Sequence, residues 1–113
     1  MNFRHASIAA AACGLLAFAP SSATAKSCTP PKYPGDGYFT SLSVSGVSCA
    51  TGRDVARAYY RCRIKKGIRG RCTTRVLRFS CTERREAIST QFEARVTCKR
   101  GSKRVVHTYQ QNT

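Results

Sequence analysis

The sequence predicts a small α+β domain: one strand, one amphipathic helix, then a three-stranded antiparallel sheet, stabilised by disulfides. Three observations predict it. Residues 48–66 place apolar side chains at helical spacing. The flanking segments alternate apolar and polar residues with period two. Six of the seven cysteines lie beyond residue 25, an even number that suits full oxidation.

The first 25 residues read as a signal peptide. Arg4 and His5 form a polar start, Ile8 to Phe18 is apolar, and Ala23-Thr24-Ala25 is a small-x-small cleavage site. Cys13 would leave with it. The apolar run is too short to span a bilayer of about 30 Å, and no other segment is long enough. Cleavage near Ala25 implies a secreted or envelope-associated protein with no transmembrane segment.

Lys26 to Gly37 holds three prolines and two glycines and reads as irregular, extended chain. The domain proper is expected over 38–109. Tyr38 to Val47 reads as a strand, with Leu42 and Val44 inward and Ser41, Ser43 and Ser45 outward. Ser48 to Lys66 reads as the helix, with Val55, Ala58, Tyr59 and Cys62 as its apolar stripe. Either Ser48 or Thr51 can cap it, the latter with Asp54 in a capping-box spacing. Gly67 and Gly70 end it.

Arg75 to Thr82 reads as the next strand, with Leu77, Phe79 and Cys81 on one face, and Glu83 to Ser89 as a charged connection. Gln91 to Cys98 alternates cleanly, with Phe92, Ala94, Val96 and Cys98 inward. Lys99 to Ser102 is a hairpin turn containing Gly101, and Arg104 to Tyr109 is the last strand. Its inward face is either Val105, His107 and Tyr109 or Val106 and Thr108. The first buries more apolar surface. The tail 110–113 is polar and expected to fray.

Composition alone argues against folding. Residues 26–113 contain only 15 Leu, Ile, Val and Phe. Of the 20 Lys and Arg only Arg4 precedes the cut, so 19 remain against five acids, a formal charge of +14. Such chains tend to stay disordered. Cys28, Cys49, Cys62, Cys72, Cys81 and Cys98 supply the compensation, since each disulfide contributes about 2–4 kcal/mol. Cys62 with Cys72 is a plausible local staple across the helix end; the remaining pairings stay open. The spacings are not those of zinc knuckles, so no metal or cofactor is implied.

Val47-Ser48-Cys49-Ala50-Thr51, Val55-Ala56-Arg57-Ala58-Tyr59, Phe79-Ser80-Cys81 and Val96-Thr97-Cys98-Lys99-Arg100-Gly101 carry a resemblance. Over about residues 40–109 the chain resembles a group of small exported bacterial proteins of unknown function. These share a cysteine-opened helix, an apolar-x-Cys strand and a Cys-basic-basic-Gly hairpin. The resemblance implies no activity. The strand-helix-strands order is also similar to cell-wall-binding domains of the PASTA type, by fold analogy alone.

Two constellations carry candidate chemistry. Arg53, Arg57, Arg61 and Lys65 recur every four residues along the helix, and Arg63, Lys66, Arg69, Arg71 and Arg75 extend this basic surface. Guanidinium forks suit carboxylate, phosphate or sulfate, so the expected partner is an anionic polymer or an acidic protein. No recognition motif for specific nucleic-acid binding accompanies the charge. The second constellation is Glu93, Arg95 and His107, residue types that could serve phosphodiester cleavage as in a secreted ribonuclease. A cationic toxin or inhibitor is the third class. Serine-hydrolase chemistry lacks a motif, and oxidised cysteines are not nucleophiles. The preferred expectation is a non-enzymatic, cationic binding domain.

Overall fold

The computed structural model describes residues 24–113. The leader expected over 1–25, with Cys13, lies almost wholly outside the described residues. The architecture is α+β: one helix on one face of a five-stranded antiparallel sheet. The strands are β1 (Lys26–Ser27), β2 (Gly37–Ser45), β3 (Ser80–Ile88), β4 (Gln91–Arg100) and β5 (Lys103–Asn112), and the helix α1 is Cys49–Ile64. The sheet order is β1-β2-β5-β4-β3. Thus the strand before the helix joins the sheet beside the last strand, and the short β1 adds an edge.

The period-two readings of β2, β4 and β5 hold. Leu42, Val44, Phe92, Ala94, Val96 and Cys98 are all buried. Val105, His107 and Tyr109 form the inward face of β5. The alternation runs on through Gln111, which is buried. The expected frayed tail is therefore strand: Gln111 is held by hydrogen bonds to Tyr33, Arg63 and the Asp36 carbonyl. A bulge at Thr40 follows from the pairing of Phe39 with Tyr109 and of Ser41 with Thr108.

Ser48 caps α1, its Oγ accepting from Thr51 N at 3.1 Å. Asp54, the residue expected to complete a capping box with Thr51, instead pairs with Arg57. The buried helix face is Gly52, Val55, Ala56, Tyr59 and Arg63, with Ala58 and Cys62 at its margin. Gly52 lets the helix approach β2 closely; a Cβ there would run into Val44 Cγ1.

The segment before β4 departs from expectation. Val76 and Phe79 exchange both backbone hydrogen bonds around Leu77 and Arg78, which have φ of 47° and 67°. This is a tight two-residue turn of the hairpin kind. Leu77 therefore points to solvent, while Val76 and Phe79 are buried. The expected connection from Glu83 to Ser89 is mostly β3, a charged edge strand paired in register with β4.

Three disulfides tie these parts together: Cys28–Cys49, Cys62–Cys72 and Cys81–Cys98. The first joins the N-terminal segment to the start of α1. The second is the expected staple at the helix end. The third crosses from β3 to β4, where the two residues are register partners.

Candidate functional site: a basic cleft

The C-terminal half of α1 and the loop after it enclose a cleft of about 470 Å³. Arg61, Lys65 and Lys66 face it from one side and Arg75 from the other, with the Thr73 and Thr74 hydroxyls between. Among the described residues no carboxylate lines it. Cys62 forms part of its wall, and the disulfide from Cys62 to Cys72 fixes loop to helix. Lys66 Nζ donates to Thr73 Oγ1 at 2.9 Å across the cleft. The nearby helix C-terminus contributes only about half a negative charge, which four cations outweigh.

The helix row predicted to bind anions divides. Arg61 and Lys65 enter the cleft. Arg57 Nη2 lies 2.6 Å from Asp54 Oδ1. Arg53 turns back to the Thr29 carbonyl at 3.4 Å. Of the residues expected to extend the surface, Lys66 and Arg75 join the cleft, while Arg71 pairs with Glu83. Arg63 does not belong to any surface: it is completely buried.

Arg63 and Glu83 instead anchor a polar centre beneath the helix, which the sequence reading missed. Arg63 donates to Tyr33 Oη, Gln111 Oε1 and the Ile68 carbonyl at 2.6, 2.6 and 2.8 Å. Its guanidinium lies 4.5 Å from the Tyr109 ring centroid, a cation–π contact. The Glu83 carboxylate, only 3% exposed, pairs with Arg85 and Arg71. It also accepts from the hydroxyls of Tyr59 and Tyr109. Burial, together with the Glu83 charge and hydrogen bonding to it, raises the pKa of both tyrosines well above the ordinary phenol range. They therefore stay neutral donors. Arg85 completes the arrangement by donating to the Arg69 and Gly70 carbonyls.

The expected grouping of Glu93, Arg95 and His107 does not form. Glu93 and Arg95 stand on the solvent face of β4. His107 points to the opposite face and is 1% exposed among Phe39, Tyr59 and Tyr109. Adjacent strands bring the backbones together, but the pleat sends the side chains apart. All six described cysteines are in disulfides, which leaves no thiolate for metal or nucleophilic chemistry.

Fold and cleft together define a small, disulfide-braced α+β domain with a cationic groove at its helix end. The chain matches no family model, and no curated protein or solved structure is significantly similar to it. No helix among the described residues is long and apolar enough to cross a membrane.

Proposed function

We propose that this is a non-enzymatic binding domain that works outside the cytoplasm and holds an anionic envelope polymer. Arg61, Lys65, Lys66 and Arg75 are its anion contacts. The observation that carries this reading is the cleft itself: four cations and two threonine hydroxyls around one concavity, with no acid among them. Repulsion between such cations is relieved when an anion enters, so the cleft favours repeated negative charge. The disulfide from Cys62 to Cys72 limits the ordering cost of binding.

The test is binding of the oxidised protein to polyphosphate and to heparin across a salt series. Each polymer charge neutralised contributes about 0.7–0.9 to the slope of log affinity against log salt, so four contacts give a slope near −3. Changing all four residues to Gln should remove most of that slope. Affinity that ignores salt, or that survives in the variant, refutes the proposal.

A further inference from the structure

A second concavity lies on the sheet face away from the helix. It encloses about 700 Å³ over the middle of β2, β5, β4 and β3. Arg84, Glu86, Glu93, Arg95, Thr40 and Thr108 are among its lining residues, and cross-strand register sets this face of the sheet out in two rows. In one, Arg84 stands opposite Arg95, followed by Thr108 and Ser41. In the next, Glu86 stands opposite Glu93, followed by Gln110 and the exposed ring of Tyr38.

This arrangement is electrostatically poor for the isolated sheet. Like charges directly opposite each other destabilise an antiparallel pair, and exchanging Arg84 with Glu86 would make both pairs attractive at the same composition. None of the four takes part in an ion pair among the described residues; those pairs are Arg57–Asp54, Arg71–Glu83 and Arg85–Glu83. Two guanidinium groups and two carboxylates thus stand uncombined in neighbouring rows, about 7 Å apart along the strands. The bulge at Thr40 brings hydroxyls together beside the arginine row: those of Thr40 and Ser41 both hydrogen-bond to Thr108 Oγ1, at 2.6 and 2.5 Å.

A polyanion drawn to the arginine row meets the glutamate row, and a polycation meets the reverse. Only a ligand carrying both charges satisfies both rows. We propose that this face is a binding site for a zwitterionic, peptide-like ligand. Its carboxylate sits against Arg84 and Arg95 and its ammonium against Glu86 and Glu93, with the two charges about 7 Å apart. The site is separate from the basic cleft and does not depend on the cleft's role.

The probe is 6-aminohexanoate, whose extended chain separates its charges by a similar distance. Titrated into the ¹⁵N-labelled oxidised protein, it should shift the amides of residues 84–86 and 93–95 saturably. Hexanoate and hexylamine, each lacking one charge, should bind about tenfold more weakly, the loss of one charge-assisted contact. Glycine, too short to reach both rows, should do no better than they do. Arg84→Gln with Arg95→Gln should weaken the probe at least tenfold, and Arg61→Gln with Lys65→Gln should leave it unchanged. The proposal is overturned if no saturable shift occurs, if the shifts centre on the basic cleft, or if hexanoate binds as well as the zwitterion.

Discussion

His107 gives the sharpest handle on the fold. Its imidazole is buried, and neither ring nitrogen has a hydrogen-bond partner among the described residues. Aromatic rings of Phe39, Tyr59 and Tyr109 surround it at centroid distances of 5.8, 5.6 and 6.2 Å. Burial first, and then the charge of Arg63, hold its pKa down at about 3. The unfolded chain takes up the same proton near the ordinary value of about 6.5. Between those values the unfolded state binds more protons, so stability falls as pH falls through this window and is insensitive to His107 above it. At pH 4 the contribution lost is about 3 kcal/mol, approaching about 5 kcal/mol below pH 3.

The wild type is acidified beside His107→Leu, which keeps an apolar filling and removes the titration. Urea unfolding at pH 7 and pH 4 measures both. The variant differs from the wild type at this one side chain, so the difference between the two acid losses isolates the histidine. The wild type should lose about 3 kcal/mol more than the variant. Equal losses would mean that the imidazolium finds a hydrogen-bond acceptor or water that the buried site does not offer, and that burial does not hold the ring neutral.

Glu83→Gln should destabilise by about 3 kcal/mol in urea unfolding, since Arg85 loses its buried counter-charge while both tyrosine donors keep only a weaker acceptor. Replacing Cys28 and Cys49 together by Ser should cost about 3 kcal/mol, the closure entropy of a loop with a sequence separation of 21, read from the shift in the denaturation midpoint. Gly52→Ala should cost about 1–3 kcal/mol by forcing α1 off Val44, seen as a lower melting temperature with the disulfides intact. Reduction of all three disulfides should abolish the near-UV circular dichroism of the tyrosines; an unchanged spectrum would mean that the core holds without them.

Where burial is apolar, the sequence is legible. β4 could be read residue by residue because every inward position is Phe, Ala, Val or Cys. The α+β order and the helix were legible for the same reason, and the Cys62–Cys72 staple from its place across the helix end. β3 was not, because its inward positions include Glu83 and Arg85, and a carboxylate reads as solvent until two tyrosine hydroxyls and two arginines are found around it. Arg63 was hidden in the same way, yet geometry held a clue: it continues the four-residue spacing of Val55 and Tyr59 down the buried face. Gln111 continues the alternation of Val105, His107 and Tyr109 under the same disguise. The turn at Leu77 and Arg78 left no signal, since neither residue favours positive φ.

These buried charges change how the net charge should be read. Ile68, Leu77 and Ile88 are exposed, so the core is shorter of aliphatic residues than composition suggests. Tyrosines and the ring-stacked guanidiniums of Arg63 and Arg85 fill it instead. Some of the arginine excess is therefore structural, and total charge is a poor guide to a partner. Among the described residues two dense clusters remain at the surface: the cleft cations and the exposed hairpin residues Lys99, Arg100, Lys103 and Arg104. They carry equal charge but differ in shape, one around a concavity and one at the tip of β4 and β5. Neutralising either set removes four positive charges. If the cleft holds the polymer, only its variant should lose affinity steeply, with a smaller screened effect from the hairpin. Equal losses from both would show that binding follows net charge and that the cleft has no special part in it.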